Sequence, residues 1–156
     1  MDDKERDQIR DHAWKYFQLH ADQRIKTFNF YLILCALISG ALTAILKDAS
    51  DIRVGIPLAL LLPFLSFIFW KLDLRNKQLI GHGEQALKHI ENLFEVDDEA
   101  DKPHLLKIFN CEDHVTKGLK RSTPFFTYST CFHLVFLTFG LSGVVLAWWL
   151  LGKPFP

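Results

Sequence analysis

Three long apolar runs alternate with charged segments along this chain. They cover residues 28–46, 54–70 and 124–151. Each run is close to the roughly 20 residues that an α-helix needs to cross about 30 Å of hydrocarbon. The pattern therefore predicts an all-α membrane protein with three transmembrane helices. The polar remainder then divides into an N-terminal helix, a turn, a helical segment and a tail, at residues 1–27, 47–53, 71–123 and 152–156.

The N-terminal segment has an amphipathic pattern that leads directly into the first span. Apolar residues from Ile9 to Phe17 recur at three- and four-residue steps, which is typical of a helix with one buried face. No Gly or Pro interrupts residues 23–29, so we favour one continuous upright helix. The alternative is a helix lying flat on the membrane, which Trp14 would also suit.

Helical periodicity continues beyond the second span, across Gly81 and Gly83. The expected buried face consists of Leu72, Leu79, Ala86, Ile90, Leu93 and Phe94. This face is the natural partner of the N-terminal helix, and the two are expected to pack antiparallel. Within the second span, Pro63 predicts either a hinge or a static kink.

The distribution of basic residues predicts the orientation in the membrane. Six Lys and Arg residues precede the first span and nine lie between the second and third, against three elsewhere. By the positive-inside rule, the N-terminus and residues 71–123 face the cytoplasm, and the C-terminus faces outside.

Composition gives little evidence for chemistry. The 18 basic and 18 acidic side chains balance, and the seven histidines form no metal-binding motif. Cys35, Cys111 and Cys131 lack metal-ligand spacing and are expected to be reduced packing residues. We therefore expect no enzyme activity, no metal site and no cofactor.

His133 is the strongly ionisable side chain predicted inside a span, and such residues are functional hypotheses by default. It could form a neutral hydrogen bond between helices, or it could serve in proton transfer or gating. A small enzyme or transporter that uses His133 is the third functional hypothesis.

Polar residues line one side of two of the predicted spans. The expected pore-lining positions are Thr127, Thr130, Thr138 and Ser142 of the third span, and Asn29, Ser39 and Thr43 of the first. Three spans of one subunit carry too little polar surface to enclose a water path. Conduction would therefore require several subunits around an axis.

Small residues form a second pattern in the same spans. The positions are Ala36, Gly40 and Ala44 in the first span and Gly140, Gly143 and Ala147 in the third. Small residues let helix backbones approach closely, so these positions predict helix contacts. The pattern leaves open whether the contacts are within or between subunits.

Basic residues also cluster at the predicted cytoplasmic ends of the second and third spans. This cationic collar consists of Lys71, Arg75, Lys77, Lys117, Lys120 and Arg121. One interpretation is membrane topology with attraction to anionic lipid. The other is a site for an anionic ligand such as a nucleotide or oligonucleotide.

The segment from Trp14 to Arg24, followed by Phe28, Asn29 and Phe30, has the pattern W-x-Y-F-x-L-H-A-x-Q-R-x-x-x-F-N-F. In this pattern the chain resembles small bacterial multi-pass membrane effectors of phage-defence systems, the Hailong-type channel effector among them. The resemblance implies a homo-oligomer, with a tetramer favoured, in the bacterial inner membrane. It also implies control by a nucleotide or a single-stranded DNA oligomer made by a partner enzyme.

The leading functional hypothesis is a homo-oligomeric channel or pore, gated through its cytoplasmic helices. The alternative is a non-conducting membrane adaptor that recruits a soluble partner protein. In the adaptor, hydroxyls and small residues of the spans would serve only in helix packing.

Overall fold

The computed structural model describes residues 3–47, 52–93, 107–109 and 128–152. Three long helices account for nearly all of them: α1 (Asp3–Lys47), α2 (Ile52–Leu93) and α3 (Tyr128–Leu151). The described residues contain no β-strand. Each long helix includes a segment apolar enough to cross a membrane, with mean hydropathies of 2.0, 1.8 and 2.1. The predicted all-α class with three spans is confirmed.

Helices α1 and α2 are continuous at the positions where the sequence left a bend or an interruption open. Helix α1 runs through residues 23–29, as predicted, and begins at Asp3, ahead of the amphipathic pattern that starts at Ile9. Helix α2 runs through Pro57, Pro63 and the Gly81–Gly83 segment. Lys47 and Arg53, the first and last residues of the predicted turn, belong to α1 and α2, and residues 48–51 lie outside the described residues.

The chain forms two compact units. The polar unit comprises Met1–Arg24 and Arg75–Thr127, and the apolar unit comprises Ile25–Leu74 and Tyr128–Pro156. Helices α1 and α2 each contribute residues to both units.

All three helices supply the core of the apolar unit. Its most buried side chains are Tyr31, Cys35 and Leu42 of α1, Ala59 and Leu62 of α2, and Phe136, Ala147 and Leu150 of α3. Aromatic rings join the helices as well, since Phe28 stacks on Phe132 with 3.9 Å between ring centroids. The core residues lie on one side of each helix and leave the remaining surface exposed.

The polar unit has a smaller core around Ala13, Leu87 and Ile90, with Phe17 and Phe109 packed against it. Gly83 lies against the Phe17 backbone, whereas Leu87 and Ile90 cluster with Ala13. The two helical segments therefore run antiparallel, as predicted. Ile9, which was expected on the buried face, is 45% exposed.

The buried face of α2 agrees with the predicted one only in part. Ile90 is buried as predicted and Leu79 is half-buried, whereas Phe94 lies outside the described residues. Leu72, Ala86 and Leu93 are exposed, and Asp73 and Leu87 are buried beside the first two. The buried positions of α2 are Gly55, Ala59, Leu62, Ser66, Phe69, Asp73, Gly83, Leu87 and Ile90. Steps of four and three residues alternate from Gly55 to Asp73 and again from Gly83 to Ile90, with a step of ten between Asp73 and Gly83. Such steps give the repeat of closely packed helix pairs. Asp73 and Gly83 are buried although they are not hydrophobic, so apolarity alone selected Leu72 and Ala86, which are exposed.

Candidate functional site

A buried polar contact joins α1 and α2 in the middle of the apolar unit. The Ser66 hydroxyl donates to the Leu62 carbonyl oxygen at 2.8 Å, so the Tyr31 hydroxyl donates to Ser66 Oγ, also at 2.8 Å. Tyr31 is fully buried and Ser66 is 4% exposed. A hydrogen bond in this position holds the two helices at one register.

Helices α2 and α3 meet closely at Pro63. Proline has no backbone N–H, so the Ala59 carbonyl lacks its usual donor. A Cβ atom on Gly143 would lie 2.7 Å from that carbonyl oxygen and 2.6 Å from Pro63 Cδ. Gly143 is therefore required for the approach of α3 to this part of α2. Ala147 is buried on the same helix, and a Cβ on Gly140 would be in ordinary contact with Ser66.

His133 faces an acidic side chain of α2. Its Nε2 lies 3.8 Å from Asp73 Oδ2, and its ring packs edge-on against Trp70. Asp73 is buried, and Nε2 has no hydrogen-bond partner among the described residues. Asp73 lies just beyond the apolar run of α2, which ends at Trp70. His133 of α3 therefore lies beside the end of that run.

A groove of about 440 Å³ lies between α2 and α3 on the outside of the apolar unit. It is lined by Pro63, Ser66, Phe67, Trp70, His133, Phe136, Leu137, Gly140, Leu141 and Val144. The Lys71 ammonium lies 4.9 Å from the Trp70 ring centroid and 5.7 Å from that of Phe67. A predominantly apolar groove thus has a cation above two of its rings.

The predicted pore-lining residues lie mainly on the outside of the apolar unit. Thr43, Thr138 and Ser142 are exposed, and their hydroxyls donate to backbone carbonyls of their own helices at 2.8–2.9 Å. Asn29 is exposed, Thr130 and Ser39 are half-buried, and Thr127 lies outside the described residues. The described polar faces are therefore available to molecules around the subunit.

The small residues of α1 also face outward. Ala36, Gly40 and Ala44 are exposed, and a Cβ on Gly40 would meet nothing within 4 Å. They lie on the side of α1 opposite Tyr31, Cys35 and Leu42. This series makes no helix contact within the described part of the subunit, unlike Gly143.

The structure describes half of the cationic collar. Lys71, Arg75 and Lys77 are exposed on α2, and Lys117, Lys120 and Arg121 lie outside the described residues. The described residues include no group of three His, Cys, Asp or Glu placed to hold a metal ion.

The polar unit has a pocket of about 420 Å³, which the sequence analysis did not predict. Its lining comprises Arg10, Asp11, Trp14, Leu87, Ile90, Glu91 and Phe109. Glu91 accepts a hydrogen bond from the Phe109 backbone N–H at 3.0 Å, and Arg10 pairs with Asp7 at 3.3 Å. The pocket lining therefore combines aromatic and aliphatic side chains with two carboxylates and one guanidinium.

These features define an all-α membrane protein with a three-helix apolar unit and a polar helical unit. The chain is 34% identical to CD-NTase-associated protein 19 of Escherichia coli over 138 residues, which are 88% of this chain and 87% of that protein. It belongs to the family of that protein. No protein-family model matches the chain, and no solved structure matches it.

Proposed function

We propose that this protein is the membrane effector of a bacterial antiphage defence system, and that several copies assemble in the inner membrane as an ion channel. The relationship to CD-NTase-associated protein 19 supports a role in antiphage defence beside a CD-NTase. The resemblance of the Trp14–Arg24 segment to membrane effectors supports the same role. In this arrangement the N-terminus and the polar unit face the cytoplasm.

One structural observation carries the channel proposal. Thr43, Thr138 and Ser142 expose hydroxyls on the outside of helices that are apolar enough to cross a membrane. A single apolar unit encloses no path with these groups, because they face away from its core. Several copies around an axis would bring them onto a shared path.

The proposed gating ligand is a nucleotide signal made by the CD-NTase, bound at the cationic collar. Phosphate groups are held chiefly by Lys and Arg side chains. Arg75 and Lys77 are exposed on α2, whereas the lining of the pocket in the polar unit has two carboxylates and one cation, Arg10. The collar is therefore the better match for a polyanion. Because α1 and α2 contribute to both units, binding could be transmitted by rigid-body movement of these helices.

Single-channel recording in planar bilayers tests the conduction path. Thr138→Val removes an exposed hydroxyl without changing side-chain size, so it should alter unit conductance. The matched control is Thr27→Val, on the half-buried side of α1. Absence of conductance with every nucleotide product of the partner enzyme would defeat the proposal.

Ligand titration of the same recordings tests the collar. Arg75→Gln combined with Lys77→Gln should shift the activating nucleotide concentration upward, because two phosphate-attracting charges are lost. The control combines Lys47→Gln with Arg53→Gln, which changes charge equally at the other end of the apolar runs. An equal shift in both proteins would argue against a ligand site at the collar.

The second candidate function is a non-conducting adaptor for a soluble partner protein. It is favoured by the pocket of the polar unit, where Trp14 is 47% exposed beside Phe109. An exposed aromatic side chain at a pocket is typical of protein-binding surfaces. For an adaptor, Thr130→Val and Thr138→Val would leave phage defence unchanged, whereas Trp14→Ala would abolish it.

A further inference from the structure

We propose that the groove between α2 and α3 binds one acyl chain of an anionic phospholipid, whose phosphate is held by Lys71. This site is independent of the nucleotide ligand. It assigns Lys71 to a lipid and leaves the other collar cations for the soluble signal.

The lining of the groove fits hydrocarbon. Apart from Ser66 and His133, its lining residues are apolar or aromatic. Ser66 offers little to a polar ligand, because its hydroxyl already donates to Leu62 and accepts from Tyr31. The groove also lies between helices apolar enough to cross a membrane, where acyl chains are the surrounding solvent.

The charge at the groove fits a phosphate. The Lys71 ammonium lies over the rings of Trp70 and Phe67, and both rings line the groove. Cation–π contacts of this kind hold an ammonium in place without neutralising it. Asp73, the nearby carboxylate, is 4% exposed and faces His133, with 3.8 Å between His133 Nε2 and Asp73 Oδ2.

The same charge favours an anionic over a zwitterionic lipid. Both headgroups carry a phosphate, but choline and ethanolamine headgroups add a positive charge that Lys71 disfavours. His133 also lines the groove, and its ring packs edge-on against Trp70. These features distinguish the groove from a general lipid-facing surface.

Fluorescence quenching by brominated lipids tests the proposal with the full-length protein in vesicles. Trp14, Trp148 and Trp149 are changed to Phe, so that Trp70 alone reports on the groove. Brominated phosphatidylglycerol and brominated phosphatidylcholine are compared at equal mole fractions. We expect phosphatidylglycerol to be preferred about fivefold at Trp70, the factor contributed by one basic residue near an anionic lipid.

A second protein that retains only Trp148 provides the baseline. Trp148 is 80% exposed and lies outside the groove, so the two brominated lipids should quench it equally. Lys71→Gln should remove the phosphatidylglycerol preference at Trp70 and leave quenching by phosphatidylcholine unchanged. Val144→Phe should reduce quenching by both lipids, because the larger side chain fills the groove from its exposed side.

Two outcomes would overturn the proposal. Equal quenching of Trp70 by both lipids, unaffected by Lys71→Gln, would show a groove that takes any acyl chain. Protection of Trp70 from both lipids would show that another occupant fills it, such as a helix from a second copy. Neither outcome depends on conductance, so the lipid site and the channel can fail separately.

Discussion

Gly143 and Pro63 depend on each other at the contact between α2 and α3. Pro63 leaves the Ala59 carbonyl without an intrahelical donor, and the absence of a side chain at Gly143 lets α3 cover that carbonyl. Weak Cα–H···O contacts are common where helices approach this closely. The contact favours a static kink at Pro63 over a hinge, since movement there would uncover the carbonyl in a lipid environment.

Gly143→Ala should destabilise the apolar unit by about 1–3 kcal/mol, the usual cost of overpacking. The new Cβ would lie within 2.8 Å of Pro63 Cδ, the Ala59 carbonyl and Leu62 Cβ, and neither the ring nor the carbonyl can yield. Thermal unfolding in detergent measures the effect. Gly140→Ala is the matched control and should be tolerated, because its Cβ would find ordinary contacts at 3.4 Å.

The Tyr31–Ser66 hydrogen bond predicts different losses of stability when either partner is replaced. Tyr31→Phe removes one donor and should cost about 0.5–2 kcal/mol. Ser66→Ala should cost more, because it leaves the fully buried Tyr31 hydroxyl without its acceptor. Unfolding in detergent gives both values, with Tyr16→Phe as the control outside the apolar unit. A smaller loss for Ser66→Ala than for Tyr31→Phe would contradict this account.

At the scale of the element, the sequence correctly predicted the three long helices. It predicted the buried face of α2 only in part. Long uncharged runs identify spans because their length matches the membrane. The buried face of α2 includes Ser66, Asp73 and Gly83, so a hydrophobic pattern selected Leu72 and Ala86 on its flank. On the buried face, Ala59, Ser66 and Asp73 recur every seven residues, and that spacing of small and polar residues is the signal that a hydrophobic pattern missed.

Gly81 and Gly83 provide a matched test of that face. Gly81→Ala should stabilise α2 by about 1 kcal/mol, since a Cβ there meets nothing within 4 Å. Gly83→Ala should destabilise it by about 1 kcal/mol, because overpacking outweighs the gain in helix propensity. Its Cβ would lie 3.1 Å from Phe17 Cα. Circular dichroism during heating compares the variants, and equal stabilisation by both would contradict the proposed close approach.

At the scale of the whole molecule, the outward position of small and hydroxyl residues is the main result. The sequence grouped Ala36, Gly40 and Ala44 correctly on one side of a helix but could not say what they contact. That question depends on the arrangement of three helices, which periodicity along one helix does not contain. His133 is a similar case, because its Asp73 partner is distant in sequence and was not singled out.

The exposed small residues of α1 predict self-association. Ala44→Leu should shift the protein toward monomers in native mass spectrometry, because a large side chain separates closely packed helix backbones. Ala41→Leu is the control, since Ala41 is also exposed but lies about 100° around the helix from the centre of the series. A wild-type protein that is already monomeric would remove both this prediction and the channel proposal.

The hydroxyl geometry of Thr43, Thr138 and Ser142 has a consequence for ion selectivity. Each hydroxyl gives its proton to a carbonyl of its own helix, so only oxygen lone pairs point outward. In a conduit assembled from these faces, these three hydroxyls would offer permeating ions acceptor oxygens and no donor hydrogens. Acceptor oxygens can replace part of a cation's hydration shell but not that of chloride. The channel should therefore be cation-selective. Across a potassium chloride gradient, its reversal potential should shift from zero toward the potassium equilibrium potential.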